Sequence, residues 1–262
     1  MFSWFKRHRR RSLLAEPMPA GWTAILERMP HVRALPAAQR QAHQDATRIF
    51  VAEKTFVGVD GLLADDAKQV VIAALASILT LGLDDFHFDN VATILIAPSV
   101  FLGRRRASIG MEAVIEEDEE HLGEAHYRGP VKLSWEAIEE DINEPWGGFN
   151  LVFHEFAHQL DMLNGEADGV PSLAKELREP WEKVMGREFE ALQRAVKRRK
   201  ETVLDPYGAG DPAEFFAVAV EAFFDAPRDL RERHGELYDL LRRYFGQDPA
   251  EWRLPSPPPA AK

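Results

Sequence analysis

Between Gly148 and Leu163 lies a segment that reads as a helix with apolar residues on nearly every side, among them Phe149, Leu151, Val152, Phe153, Phe156, Ala157 and Leu160. A helix hydrophobic all round belongs in the middle of a domain. This one is interrupted by His154, Glu155 and His158, which spell HEFAH. Burying two imidazoles and a carboxylate without partners costs about 1–3 kcal/mol for each unsatisfied group. Any fold the chain adopts must therefore bury this helix and supply partners for three polar side chains within it. A bound cation answers that requirement directly.

HEFAH matches the pattern HExxH. Residues at i and i+4 share a helical face, so His154 and His158 can converge on one ion. Glu155 then sits beside the open position of the metal, where it can take a proton from water; zinc lowers the pKa of bound water toward about 7. The chain has no cysteine. Disulfides, thiolate zinc sites, iron–sulfur clusters and thiol nucleophiles are thereby excluded, and any zinc must be held by His and carboxylates. HExxH alone fixes only three positions, so the third ligand carries much of the weight. The long motif HExxHxxGxxH would need Gly and His where Asp161 and Asn164 stand, so that class is excluded. A carboxylate on a later helix would complete a His2Glu site.

Two carboxylates suit, seven residues apart on one face of the apolar segment EFFAVAVEAFF: Glu214 and Glu221. Glu214 also fits a structural role, because Asp211, Pro212 and Glu214 occupy the N-cap, first-turn and N3 positions of a capping box. Glu221, in mid-helix between Val220 and Ala222, is the candidate to orient a ligand imidazole and the alternative third ligand. Asp161, three residues after His158, is a second candidate to orient an imidazole. Tyr207, in DPYGAGDPAE, could donate a hydrogen bond to an oxyanion.

The rest of the chain supplies the frame. Helices are expected from about Ala37 to Phe56, from Asp66 to Leu81, from about Pro180 to Glu201, from Pro212 through EFFAVAVEAFF, and from about Asp229 to Phe245. VATILIAPSV reads as a buried strand, and MEAVIEE and PVKLSW as shorter ones. The acidic stretch between those two contains His121 and His126 and reads as a solvated loop rather than a metal site. Strands clustered in the middle and surrounded by helices imply an α+β fold with a small mixed sheet. The expected division is a basic flexible tail over 1–20, one domain over 21–252 and a disordered Pro-rich tail over 253–262. Within the domain, a helical part runs to about 85 and the catalytic core covers about 86–252.

Charge and hydropathy narrow the function. A formal net charge of −11 argues against direct nucleic-acid binding, which requires a surplus of Lys and Arg. The start, MFSWFKRHRRRS, is basic, but Glu16, Pro17 and Pro19 interrupt the apolar stretch after it, so an exposed basic tail is expected rather than a targeting signal. A weak, salt-sensitive attraction to anionic membranes is compatible with it. The longest apolar run, Val70 to Leu83, falls short of the roughly 20 residues that span a bilayer. A cytoplasmic location is expected.

The blocks GFNLVFHEFAHQLDMLNG and DPYGAGDPAEFFAVAVEAFF resemble those of the Mlc titration factor A (MtfA) peptidases of bacteria, and the likeness extends from about Gly21 to Trp252. The resemblance implies a gluzincin-type zinc peptidase with a zincin-like core related to that of anthrax lethal factor. It implies one Zn2+ per chain held by His154, His158 and Glu214, with Glu155 as general base and Tyr207 as the active-site tyrosine. It further implies aminopeptidase-like activity on small substrates. Binding to the transcriptional repressor Mlc, with effects on sugar phosphotransferase genes, is implied as well. The basic start, the PSPPPAAK end and a slightly short loop before Glu214 depart from the family pattern, and no motif marks a repressor-binding surface. The expectation is thus a zinc metallopeptidase acting on peptides or proteins. Its rivals are a non-catalytic protein that sequesters a repressor through a fold containing structural zinc, and a hydrolase of non-peptide amides.

Overall fold

The computed structural model describes residues 2–84, 86–99 and 129–253. Three strands, β1 (Thr55–Gly58), β2 (Thr93–Ala97) and β3 (Val131–Ser134), form a sheet in the order β1-β2-β3. Both pairings are parallel, with Thr55 opposite Thr93 and Ile94 opposite Val131. The fold is α+β as expected, although the sheet, among the described residues, is parallel rather than mixed. MEAVIEE, His121 and His126 lie outside the described residues.

A parallel pair needs a crossover, and between β1 and β2 this is the helix α5 (Asp66–Thr80). Asp65 caps it, accepting from the Lys68 amide at 3.0 Å. Its apolar run from Val70 to Leu79 is buried all round, as the composition of that segment requires. Before it stand α1 (Phe2–Ala15), α2 (Trp22–Leu26), α3 (Pro30–Ala34) and α4 (Ala37–Glu53). After β3 come α6 (Trp135–Asn143), α7 (Leu151–Asp161), α8 (Lys175–Lys197), α9 (Pro212–Asp225), α10 (Pro227–Arg233) and α11 (Gly235–Phe245). One hydrophobic core runs from Trp22 to Trp252. At its centre α7 packs against α9, and α5 lies behind α7.

Four expectations need correction. The basic start is a helix, not a flexible tail. Arg10 is buried and grips Glu53 at 2.8 and 3.0 Å and Asp89 at 2.8 Å. Arg48 donates to the Leu13 and Glu16 carbonyls at the end of α1, at 2.6 Å each. Second, α4 stops at Glu53, and the residues beyond Lys54 join the sheet, where the β-branched Thr55 and Val57 fit a pleated surface. Third, α8 begins at Lys175, with Pro180 inside it. The carbonyl freed by the proline belongs to Glu176, an exposed residue that water can reach. Fourth, the single helix expected over 229–245 is two. The chain breaks at His234, whose ring meets Glu188 at 2.9 Å ahead of Gly235.

Candidate metal centre

The site is assembled where α7 and α9 cross. The N-terminal end of α7 is saturated with acceptors, as the orphan amides and positive dipole end of a helix demand. Asn150 caps it, its Oδ1 accepting from the Phe153 amide at 3.0 Å. The Leu151 amide donates to Asp141 at 2.8 Å. From α9, Glu221 accepts from the Asn150 amide at 2.8 Å and Asp225 from the Gly148 amide at 2.7 Å. The helix carrying HEFAH is thus fastened to its neighbour by two carboxylates one turn apart.

Glu221 has a second function. Its other oxygen lies 2.5 Å from His154 Nδ1, and both side chains are buried. A carboxylate can only accept, so Nδ1 carries the proton and Nε2 presents a lone pair. That nitrogen stands 3.1 Å from His158 Nε2 and 3.0 Å from Glu214 Oε2, and the last two atoms are 3.5 Å apart. Zinc with ligands at about 2.0–2.2 Å in a tetrahedron requires donor separations of roughly 3.3 Å. The three donors fit that requirement. Among the described residues, His154, His158 and Glu214 form the group of His and carboxylates that could hold an ion. Burial works to raise the Glu214 pKa, but hydrogen bonding and charge from the two imidazoles, when these are protonated, outweigh it and hold the carboxyl well below the usual carboxylate range.

Glu214 is delivered by the start of α9. Asp211 caps that helix, accepting from the Glu214 amide at 2.9 Å. The capping role read from the sequence therefore belongs to Asp211, while the Glu214 carboxylate faces the imidazoles. Tyr207 rides on a short 3-10 turn, Pro206–Ala209, fixed by Asp205, which accepts from the Tyr207 amide at 2.8 Å. Its phenol donates to Glu214 Oε1 at 3.4 Å and its ring lies 6.2 Å from that of His154. At 44% exposure it faces both solvent and the cluster. Glu155, half-buried, follows His154 on the same helix.

Asp161 sits differently from the expectation. It lies at the last turn of α7, fully buried, and accepts from the Gly169 amide at 2.9 Å rather than from a ligand imidazole. Burial pushes its carboxyl up to about 6. Gly169 in turn gives its carbonyl to Trp181 Nε1 at 3.0 Å. It has φ +79°, and a Cβ there would come 2.4 Å from the Pro212 carbonyl. A side chain at 169 would push against the first turn of the helix that presents Glu214. Asp161 thus anchors the Gly169 loop, which lies close against the start of α9.

Asn150, Asp141, Asp225 and His31 escape sequence reasoning. Asp225 interrupts the same apolar helix as Glu221, one turn later, and that signal is there to be read. Asn150 immediately precedes the helix at its N-cap. His31 and Asp141 carry no local mark. A cavity of about 610 Å³ opens beside the cluster, between α8, the loop around Gly169 and the start of α9. Pro212 and Phe215 line it, but none of the three donor residues does.

The family model for glucose-regulated metallo-peptidase M90 matches residues 4–246. An uncharacterized protein of Synechocystis, slr2042, is 37% identical over 244 residues, covering 92% of this chain and 89% of that one. Mlc titration factor A of Pectobacterium atrosepticum is 31% identical over 231 residues, 87% of this chain and 86% of that one. The protein of the same name from Cronobacter sakazakii is 32% identical over 236 residues, covering 88% and 87%.

Proposed function

The chain belongs to the glucose-regulated metallopeptidase M90 family, and we propose that it is a zinc-dependent peptidase, one ion per chain, with a gluzincin-type centre in a zincin-like core. The observation that carries the reading is the convergence of His154 Nε2, His158 Nε2 and Glu214 Oε2 at 3.0–3.5 Å. These three atoms would hold the ion. When bound, zinc supplies Lewis acidity toward a carbonyl and brings the pKa of water to about 7. Glu155 takes a proton from the attacking water and passes it to the leaving amine. Tyr207 donates to the oxyanion of the substrate carbonyl. Glu221 keeps His154 in the tautomer that offers Nε2, and Asp161 anchors the Gly169 loop beside the start of α9.

Three finer readings accompany this one. Aminopeptidase-like action and a cytoplasmic location rest on the likeness to the titration factors. The name of those relatives supports a third, binding of a repressor of the Mlc type, which would link the protein to the control of sugar phosphotransferase genes. The test is to strip the protein of metal, reload it with zinc and assay peptides with free and with blocked amino termini. Turnover that returns with zinc and requires a free amino terminus is the expected result. Turnover on both peptides would leave a peptidase but remove the aminopeptidase reading. Zinc binding without turnover on either would favour the rival, a repressor-sequestering protein with a structural ion.

A further inference from the structure

Among the described residues, α1 is the strongly basic element of an acidic protein. Phe2–Ala15 contains Lys6 and four arginines and no acidic residue, while the chain as a whole carries −11. The helix has two faces. Toward the body, Arg10 and Lys6 are tied to Glu53 and Asp89, with Lys6 Nζ 2.5 Å from Asp89. Arg48 holds the C-terminal end from below. Outward stand Trp4, 63% exposed, and Phe5, 60% exposed, together with the exposed Arg7, His8 and Arg11, while Arg9 reaches back to Glu53 at 3.2 Å. Trp4 and Phe5 meet edge to face at 5.0 Å, and Trp4 stacks on His8 at 5.7 Å. Basic residues and an exposed aromatic pair thus share the outer side of a helix that is anchored to the body from beneath.

We infer that this outer face of α1 docks the protein on an anionic lipid surface. Tryptophan and phenylalanine beside arginines suit the boundary between headgroups and acyl chains, where the rings are buried and the guanidiniums meet phosphates. The remainder of the acidic chain is repelled by such a surface, so the helix also sets the orientation. A nucleic acid offers the same phosphates, but Trp4 already stacks on His8 and meets Phe5 edge to face, so the rings offer no series of open faces for successive bases. The lipid surface uses both the charges and the rings.

The experiment is sedimentation of the full-length protein with vesicles of phosphatidylcholine alone and with about 30% phosphatidylglycerol, at low and raised salt. Binding is expected to the anionic vesicles only, and to weaken with salt. Arg7→Ala with Arg11→Ala should weaken it about 25-fold, at about fivefold for each basic residue near the surface. Trp4→Ala with Phe5→Ala should weaken it by an order of magnitude or more. Both variants change exposed positions, and unchanged thermal unfolding would show that the fold is kept. Equal binding to neutral vesicles, or no binding to anionic ones, would overturn the inference. So would full binding by the aromatic variant, and so would retention on duplex DNA that competes with the vesicles.

Discussion

Two buried histidine–carboxylate pairs hang from the same helix, one turn apart, and only one belongs to the candidate metal centre. Glu221 meets His154 at 2.5 Å and Asp225 meets His31 at 2.6 Å. Each carboxylate also holds a backbone amide of the segment entering α7, Asn150 for Glu221 and Gly148 for Asp225. The difference lies at the other side of the ring. The far edge of His154 faces His158 and Glu214. His31 is enclosed by Trp146, at 4.5 Å, and Phe153, at 5.4 Å. Its Nδ1 has no hydrogen-bond partner among the described residues. A carboxylate-bound imidazole is therefore no sign of a metal site by itself; what the second nitrogen sees decides.

That contrast can be broken by mutation, and the largest effect should fall on the metal side. Glu214→Ala should abolish zinc binding and peptide turnover while leaving the fold, as read by metal analysis and circular dichroism. Retained stoichiometry would move the third ligand to Glu221. On the other side, Asp225→Ala should leave zinc stoichiometry unchanged but cost about 3–5 kcal/mol of stability, the scale for breaking a buried pair, measured by denaturant unfolding. Loss of zinc with little loss of stability would erase the distinction. Between these lies Glu221→Gln, which removes the acceptor charge behind His154. A 10–100-fold loss of zinc affinity is expected, and an unchanged affinity would mean that the pair is as purely structural as its neighbour.

A third buried histidine sharpens the comparison through pH. His43 bonds a neutral carbonyl, that of Ala74 at 2.8 Å, and burial pushes its pKa down to about 4 from 6.5. Between those values the unfolded chain binds a proton that the folded one refuses. Stability therefore falls as pH drops from about 6.5 to 4, and levels off below. His43→Gln should flatten unfolding free energy against pH in that window while leaving behaviour above pH 7 nearly unchanged. An unaltered slope would mean that other groups carry the acid sensitivity.

Much of this frame is legible in the sequence, because the signals are local. A polar triplet in an all-apolar helix marks His154, Glu155 and His158, and the cap Asp211 announces α9. The α+β class emerges from the order of the segments. What escapes reading is long-range. The basic start looks like a solvated tail until Glu53 and Asp89, 43 and 79 residues away, meet Arg10. β1 looks like the last turn of α4, since its parallel partner lies beyond the whole of α5. His31 finds Asp225 across 194 residues. Asp161 has the spacing of an imidazole partner, but α7 ends there and the carboxylate turns to the Gly169 loop.

The most direct test of the central claim is zinc content and peptide turnover, side by side, for wild type and Glu155→Gln. The account predicts one zinc in each protein and turnover in the wild type alone, because the variant keeps all three donors and loses only the base. Near-normal turnover by Glu155→Gln would contradict it.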